Sequence, residues 1–497
     1  MTDSDIDLLV VGGGINGAGI ARDAAGRGLR VMLVEQGDLA GATSSASSKL
    51  VHGGLRYLEQ LEFRLVAEAL REREILLRAA PHLVRPMRFV MPLAKQFRSP
   101  WMIRTGLFLY DWLARRDILP GSEAIRLAQS PYGHGLKPGF QRAFAYSDCW
   151  VDDARLVLAN ALSARSAGAD IRSRTRCVSL QRAGTVWMAQ MQMVTGEIAT
   201  VNARAVVNAA GPWAHRFLIE VAGERVQFKL RLVQGSHIIV PRLFPGTHAF
   251  ILQHDDGRVI FAYAYGEHYT LVGTTDLELS GPVESAHVTD AEKVYLCNVV
   301  NTYFTRQTTP DDVVTGFTGV RPLYDDGADN PSRVTRDYTL HLSGGGPSAP
   351  LLSVFGGKIT TYRCLAEQVL ERLRPWFPGM REAWTAGAAL WGGEEMPEAL
   401  DRRIAQTHAW LPAGYRSALV HRYGSRYVDV LFSVRSPADL GPEFAPTLYG
   451  CEVDYLVSQE WAMSAEDVLW RRTKCGYEMT DAQRHVLVRY RSWPVSQ

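Results

Sequence analysis

The segment VVGGGINGAGIARDAAGRGL, residues 10–29, decides the fold. The apolar run that ends at Val11 predicts a short buried strand, Gly12 to Gly17 form a turn of the pattern G-x-G-x-x-G, and the remainder predicts a helix. A second apolar run, RVMLVE, follows at residues 30–35. Two parallel strands joined by a helix make a β-α-β unit with a right-handed crossover. This unit predicts a Rossmann-type nucleotide domain.

Each residue of this fingerprint suits the binding of a dinucleotide. Gly12 makes the tight turn, Gly14 lets a pyrophosphate approach the backbone, and Gly17 permits close packing of the helix. Asn16 lies in the same turn, and Glu35 ends the second strand, where it can accept hydrogen bonds from ribose hydroxyls. Both FAD and NAD carry such a ribose, so the fingerprint alone leaves the two cofactors open.

The segment after Glu35 favours FAD. Residues 41–49, GATSSASSK, are here called the serine loop. A small, hydroxyl-rich loop in this position can run beneath a flavin and bind its phosphates and ring, whereas the alternative is a flexible surface loop. The candidate cofactor contacts in the serine loop are Thr43, Ser44, Ser45, Ser48 and Lys49.

Polar residues recur in short glycine-containing segments elsewhere in the chain. The segments, with their candidate residues, are HGGLRY (His52, Gly53, Arg56, Tyr57), AAG (Ala210, Gly211), GSH (His237), GVRP (Arg321), TRDY (Arg336) and GGKITTY (Gly357, Lys358, Ile359, Thr360). The last segment opens a predicted helix, whose first N–H groups can face an anion. Several arginines that converge on one pocket would form a phosphate or carboxylate clamp. The sequence alone leaves that convergence open.

Composition narrows the class of protein. The chain has 497 residues, 46% of them hydrophobic and 21% charged, and a net charge of +2. Such a chain predicts a globular enzyme of two or three domains, and its charge gives no reason to expect nucleic acid as a partner. The six cysteines form no CxxC pair and fit no metal pattern, so we expect reduced thiols, no metal site and a reducing compartment. The N-terminus does not resemble a signal peptide, and no apolar run is long enough to span a bilayer.

The order of predicted elements suggests interleaved domains of an α/β fold. A discontinuous FAD-binding domain is predicted over residues 1–80, 150–225 and 345–385. A β-rich substrate domain is predicted over residues 81–149 and 226–344, and a helical C-terminal domain over 390–497.

Taken together, these motifs resemble the aerobic, respiratory, FAD-dependent sn-glycerol-3-phosphate dehydrogenases. The resemblance runs in family order from residue 8 to about residue 476 and includes VGTTD, SVFGGKITTYR and the C-terminal segment YLVSQEWAMSAEDVLWRRTK. It implies a D-amino-acid-oxidase type of fold with an added helical domain. It also implies oxidation of glycerol 3-phosphate to dihydroxyacetone phosphate, by hydride transfer to FAD, with electrons passed on to a membrane quinone.

The resemblance also implies roles for individual residues. Arg56, Arg321 and Arg336 become binders of substrate phosphate or of developing charge, Lys358 and Thr360 lie near the flavin ring, and Tyr57 packs at the site. His52 and His237 are both candidates for the general base, because a neutral imidazole suits that role. His237 is slightly preferred for substrate contact, and the choice of base between the two stays open.

One segment departs from the family pattern. The family commonly carries VIFxxPW before GTTD, whereas this chain has Ala264 and Tyr265 where that pattern has Pro and Trp. If this segment lines the pocket, the shape of the pocket or its substrate preference differs.

Quinone coupling implies a peripheral position on the cytoplasmic face of the inner membrane. Residues 100–113, followed by Arg115 and Arg116, are aromatic and apolar enough to lie at a bilayer surface, but a buried helix explains the same pattern. The oligomeric state stays open, with a homodimer as one option.

Two other functions are compatible with parts of the sequence. A glycerol-3-phosphate oxidase that uses oxygen, or another FAD oxidase of this fold, would share the architecture and differ in its acceptor or substrate. A flavin-stabilised binding protein would show basic and aromatic stripes, which the sequence lacks.

Overall fold

The computed structural model describes residues 5–93, 99–114, 116–225, 230–324, 337–344 and 348–494. The strands are β1 Ile6–Val11, β2 Val31–Val34, β3 Leu50–Val51, β4 Val84–Pro92, β5 Glu123–Arg126, β6 Arg142–Val151, β7 Asp170–Arg172, β8 Thr175–Ala183, β9 Val186–Met193, β10 Ile198–Asn208, β11 Leu230–Pro241, β12 Ala249–Gln253, β13 Val259–Tyr265, β14 Tyr269–Gly273, β15 Leu277–Glu278, β16 Thr315–Tyr324, β17 Thr339–Ser343, β18 Leu351–Phe355, β19 Glu443–Ala445 and β20 Leu448–Tyr449. The α-helices are α1 Ile15–Gly26, α2 Phe63–Ala79, α3 Pro100–Trp112, α4 Asp153–Ser166, α5 Ala214–Glu220, α6 Asp290–Tyr303, α7 Tyr362–Leu373, α8 Pro397–Thr407, α9 Ala413–Tyr423, α10 Tyr427–Val430, α11 Gly450–Gln459 and α12 Asp481–Arg489. None of the helices in these described ranges is long and apolar enough to cross a membrane.

The first sheet is built around the predicted β-α-β unit. Its strands run in the order β17-β18-β10-β1-β2-β7, and β1 is parallel to both of its neighbours. Helices α1, α4 and α7 bury one face of this sheet in a core that includes Val10 and Leu158. The hairpin β8–β9 and helix α5 bury the other face around Leu9 and Trp187. Because both faces are covered, the central strands are continuous apolar runs.

The second sheet is largely antiparallel and carries the substrate side of the molecule. Its strands run in the order β15-β11-β14-β13-β12-β4-β6-β3, with β16 paired to β11 and β5 to β6. Helix α6 packs against one face in a core that contains Ile238 and Val300. In the β11–β16 pair, Val233 lies opposite Arg321 and His237 lies opposite Phe317. This register brings two of the predicted site residues to one face of the sheet, since residues two apart share a face.

Two short strands cross the domain boundaries that the sequence suggests. Strand β3, within residues 1–80, pairs with β6 in the second sheet. Strand β17, within residues 226–344, pairs with β18 in the first sheet. Each sheet therefore contains a strand from the range of residues that the sequence assigns to the other domain. The two sheets exchange these segments where they meet.

The C-terminal part is helical, and the predicted fold class is confirmed by this architecture. Helices α8 to α12 surround a core that includes Tyr415 and Leu456, with the small pair β19–β20 at its edge. A π-helical turn at Asp467–Arg472 faces the first sheet.

Candidate functional site

One large cavity lies at the junction of the two sheets. It has a volume of about 1280 Å³ and extends from Gly12 and Glu35 at one end to His52, Arg321 and Lys358 at the other. The predicted site residues that line it are Gly12, Gly14, Asn16, Glu35, Thr43, Ser44, Ser48, His52, Arg56, Tyr57, Ala210, Gly211, His237, Arg321, Gly357, Lys358, Ile359 and Thr360. Gly17, Ser45, Lys49 and Gly53 do not line it, and Arg336 is outside the described residues. The segments that the sequence left unconnected therefore converge on one space.

The fingerprint end of the cavity combines a tight glycine turn with the carboxylate of Glu35. A Cβ atom on Gly17 would lie 1.9 Å from the carbonyl oxygen of Gly12, so only glycine allows this close turn. The Glu35 carboxylate accepts hydrogen bonds from the N–H groups of Gly13 (2.6 Å) and Gly37 (2.7 Å). Burial nevertheless raises the pKa of Glu35. Each carboxylate oxygen keeps a lone pair for a ribose hydroxyl.

The residues present fit a bound FAD. The side-chain oxygen Oδ1 of Asn16 is buried and has no hydrogen-bond partner within the described part of the chain, while its Nδ2 donates to the carbonyl oxygen of Gly356 (3.1 Å). A buried amide oxygen without a partner is unfavourable, so it indicates a ligand with a donor at this place. The N-terminus of α1 opens onto the same space, as a pyrophosphate requires.

The serine loop joins the two ends of the cavity. The Ser44 hydroxyl accepts a hydrogen bond from the N–H of Ile15 at the start of α1 (2.9 Å). The Thr43 hydroxyl donates to the carbonyl oxygen of Val320 in the second sheet (2.7 Å). At the far end, Ser48 Oγ lies 2.9 Å from His237 Nε2. The Lys49 ammonium turns away from the cavity and binds Asp153 (2.8 Å) beneath the loop.

Two loops meet at the other end of the cavity. The Lys358 ammonium lies over the ring of Tyr57, 4.0 Å from its centroid. The Thr360 hydroxyl accepts a hydrogen bond from the backbone N–H of His52 (3.3 Å). The HGGLRY and GGKITTY segments, 300 residues apart in sequence, thus form one wall with cationic and imidazole groups.

The opposite wall is formed by β11, β14 and β16. The Arg321 guanidinium bonds Asp276 and the Thr274 hydroxyl (3.2 Å), which fix its position. A Cβ atom on Gly273 would lie 2.2 Å from Cδ2 of His237, so glycine makes room for the imidazole.

His237 is held as a neutral imidazole. It is 2% exposed and stacks on Phe317, with ring centroids 4.9 Å apart. Burial lowers its pKa well below 6.5, and the charges of Lys49 and Arg321 act in the same direction. Burial and the charges of Lys49 and Arg321 therefore all disfavour a second proton on this ring.

Among the cavity residues that were not predicted from the sequence are two arginines beside the fingerprint. Arg174 and Arg471 line the cavity beside Glu35, and both bind the Asp467 carboxylate. Arg471 lies in the C-terminal segment ending in WRRTK that resembles the family. This resemblance was the only feature of the sequence that pointed to it. Nothing in the sequence around Arg174 marks it.

The two positions that depart from the family pattern, Ala264 and Tyr265, do not line the cavity. Only Val259 and Phe261 of β13 line it. The Tyr263 hydroxyl donates to the carbonyl oxygen of Ser48 (2.7 Å), and Tyr265 packs edge-on against Tyr477 of the C-terminal domain. The exchange of Pro-Trp for Ala-Tyr thus falls at a domain contact.

Comparison with known proteins agrees with this geometry. The family model described as FAD dependent oxidoreductase matches residues 7–363. The model described as the C-terminal domain of alpha-glycerophosphate oxidase matches residues 383–490.

Several relatives cover almost the whole chain. Glycerol-3-phosphate dehydrogenase of Pseudomonas aeruginosa is 52% identical over 97% of this chain and 94% of its own length. The aerobic glycerol-3-phosphate dehydrogenase of Escherichia coli is 47% identical over 95% of this chain and 94% of its own. D-erythritol 1-phosphate dehydrogenase of Brucella abortus is 48% identical over 97% of both.

A solved structure extends the comparison to the cofactor. Glycerol-3-phosphate dehydrogenase from Bacillus halodurans, complexed with FAD, is similar with a TM-score of 0.75 and 25% identity, over 99% of this chain and 94% of that chain. The predicted FAD cofactor and the predicted resemblance are both confirmed. The chain belongs to the FAD-dependent oxidoreductase family, within the group that contains the glycerol-3-phosphate dehydrogenases.

Proposed function

We propose that this protein oxidises sn-glycerol 3-phosphate at its C2 hydroxyl to dihydroxyacetone phosphate and passes the electrons to a membrane quinone. The names of the most similar relatives support this substrate. The observation that carries the proposal is the convergence of Arg321, Lys358 and two histidines at one end of a cavity whose other end has the dinucleotide fingerprint. FAD, when bound, is the two-electron acceptor.

The cations at this end suit a small phosphorylated alcohol. The Arg321 guanidinium is planar, always charged and held by Asp276 and Thr274, so it keeps one orientation at the edge of the cavity. Lys358, on the facing wall, adds a second positive charge. Together they bind the phosphate and place the C2 carbon between the two walls.

We assign the general base to His52 and a neutral hydrogen-bonding role to His237. A proton taken by His237 would be buried near Lys49 and Arg321, whose charges oppose it. His52 is half-buried, lines the same space, and is fixed through its backbone by Thr360. We therefore assign the uptake of the hydroxyl proton to an imidazole nitrogen of His52, since a general base has to lie within reach of that proton.

Helix α3 supports a membrane-bound state. Trp101 (81% exposed), Phe108 and Trp112 (75% exposed) form one stripe on its outer side, because they recur at helical spacing. Ile103, Leu107 and Tyr110 are buried on the inner side. Amphipathic helices with such aromatic faces lie at bilayer surfaces.

The same helix borders the cavity and offers a route for an apolar acceptor. Met102, Ile103 and Leu109 of α3 line the cavity, and Met102 and Leu109 are also exposed on the surface of the helix. A quinone that leaves the lipid can reach the cavity past these side chains. This arrangement supports a peripheral enzyme at a membrane surface, whereas the cytoplasmic face and a homodimer stay predictions.

The direct test is anaerobic mixing of the purified holoenzyme with glycerol 3-phosphate while the visible flavin absorbance is recorded. Rapid bleaching, followed by recovery on addition of a quinone, is the expected result. No bleaching with glycerol 3-phosphate, but bleaching with D-erythritol 1-phosphate, would transfer the proposal to the four-carbon substrate named for the Brucella relative.

The C-terminal family model gives a reason to test oxygen as the acceptor as well. With a quinone as the natural acceptor, aerobic turnover without added quinone releases hydrogen peroxide slowly. Peroxide release at the full rate of turnover would establish an oxidase instead.

A further inference from the structure

The C-terminal domain reaches the serine loop through one buried side chain. Lys474 follows the π-helical turn and has a left-handed backbone, with φ of 58°. Its ammonium binds the carboxylate of Asp152 and lies 3.4 Å from that of Asp153, at the start of α4. Asp153 in turn binds the ammonium of Lys49 at 2.8 Å. Two lysines and two aspartates therefore alternate in one cluster, in which no side chain is more than 16% exposed.

This cluster fixes the serine loop from below. The Lys49 ammonium also donates to the carbonyl oxygen of Ser45 (2.8 Å), and the Ser47 hydroxyl donates to Asp153 (2.8 Å). Ser48, the next residue, lies against His237. The loop that carries the cofactor contacts is thus bonded to the four-charge cluster at Ser45 and Ser47, and it contributes Lys49 to the cluster itself.

The cluster also acts on the substrate wall. The Lys49 ammonium lies 4.8 Å from the centroid of the Phe317 ring, and that ring stacks on His237. The position of Lys49 therefore affects where the Phe317 and His237 rings stack. It also sets the distance between its positive charge and the His237 imidazole.

The charges of the cluster balance only when Lys474 is present. Without it, two buried carboxylates would share the single ammonium of Lys49, and an unpaired buried charge is strongly unfavourable. Lys49 would then shift toward Asp152, away from Ser45 and Phe317. The pKa values support the pairing, because Asp152 and Asp153 raise the pKa of Lys474 against the effect of its burial.

We propose that Lys474 is a positioning residue, through which the C-terminal domain holds the serine loop and His237 in the geometry that FAD binding and substrate oxidation need. This gives a function to the WRRTK segment, Trp470–Lys474. A neighbouring contact strengthens the anchor, since Arg472 binds Asp38 with both terminal nitrogens (2.5 and 2.8 Å) at the other end of the cavity. The kinetic part of the inference rests on the proposed function, and the cofactor part does not.

The test compares Lys474→Met with two variants that restore the charge balance. Lys474→Met should raise the dissociation constant of FAD and lower kcat, each by about tenfold or more, while KM changes by less than about twofold. Lys474→Arg, which keeps the charge, and the double variant Asp152→Asn/Lys474→Met, which restores neutrality, should both recover most of the loss. Asn at position 152 keeps the cap of α4 that Asp152 provides to the N–H of Arg155.

Glu460→Gln is the matched control. Glu460 forms a buried ion pair with Arg155 at the same boundary between α4 and the C-terminal domain, but it does not touch the serine loop. This variant should lower Tm and leave the FAD dissociation constant and kcat within about twofold of the wild type.

Two results would overturn the inference. One is an unchanged FAD affinity and kcat in Lys474→Met, and the other is an equal loss in Glu460→Gln. If Lys474→Met does not fold, the double variant decides: native FAD affinity supports the role of charge balance, and weak affinity contradicts it. FAD affinity is measured without substrate, so a holoenzyme that fails to oxidise glycerol 3-phosphate refutes the proposed function and leaves this test intact.

Discussion

The hydroxyl oxygen of Ser48 lies 2.9 Å from Nε2 of His237, a residue 189 positions later in the chain. This hydrogen bond joins the loop that follows the dinucleotide fingerprint to the central strand of the substrate wall. The two halves of the site are therefore not independent, and changes on one side should appear on the other.

Arg321→Lys should weaken substrate binding without loss of FAD. Lysine keeps the ion pair with Asp276 but lacks the planar fork that can bind a phosphate with two N–H groups. We expect KM for glycerol 3-phosphate to rise by about tenfold or more, which corresponds to about 1.4 kcal/mol or more. Steady-state kinetics and flavin absorbance measure the two effects. Arg231→Lys, which alters an arginine paired with Glu278 on the same sheet, is the control and should leave KM unchanged.

Gly273→Ala should displace the His237 ring. The added Cβ atom would overlap Cδ2 of the imidazole, and neither the stack on Phe317 nor the bond to Ser48 leaves room for the ring to retreat. Overpacking of this kind costs about 1–3 kcal/mol. We expect kcat to fall by about tenfold, as measured by flavin reduction in a stopped-flow instrument. Gly139→Ala, where nothing lies within 4 Å of the new atom, serves for comparison, and an equal loss there would contradict this explanation.

Acid should destabilise the protein through its buried histidines. Burial lowers the pKa of His248 to about 4, with a smaller effect of Arg242, against 6.5 for an ordinary histidine. The unfolded chain therefore binds a proton at His248 at a higher pH than the folded chain does. The stabilisation that is present above pH 6.5 is lost as the pH falls toward 4. The loss amounts to about 3 kcal/mol for this one group.

His248→Phe should reduce that loss. Phenylalanine fits the aromatic cluster with Phe244 and Phe250 and does not titrate. Urea unfolding at pH 7 and pH 4.5 measures the difference. The exposed histidine variant His287→Gln should keep the wild-type pH dependence, and the same dependence in His248→Phe would show that other groups dominate.

Removal of the aromatic stripe on α3 should release the enzyme from lipid. Trp101→Ala/Trp112→Ala removes the two most exposed large hydrophobic side chains of the helix, each expected to contribute about 1–2 kcal/mol when it is buried in the interface. We expect sedimentation with lipid vesicles to fall by about tenfold or more, while turnover with a water-soluble dye stays unchanged. Phe432→Ala removes another side chain that is 78% exposed, and it should leave vesicle binding intact. Undiminished binding of the double variant would place the membrane contact elsewhere.

The parts of the fold that follow from local patterns were predictable from the sequence. The fingerprint, its helix and the strand that ends before Glu35 depend on neighbours within 30 residues, and the structure has them where the pattern places them. The direction of the Lys49 side chain was not predictable, because it depends on Asp153, which comes from another segment. Arg174 and Arg471 were missed for the same reason, since only the packing of the C-terminal domain brings them together.

The hydrogen bond between Asn16 and Gly356 spans 340 residues. The cofactor cavity therefore closes only after nearly three quarters of the chain has been synthesised, and the contact from Lys474 comes later still. Such a high contact order makes folding slow and leaves apolar surface exposed for a long time. Because the cofactor contacts exist only in the closed cavity, free flavin should shift newly made chain toward the native state by mass action.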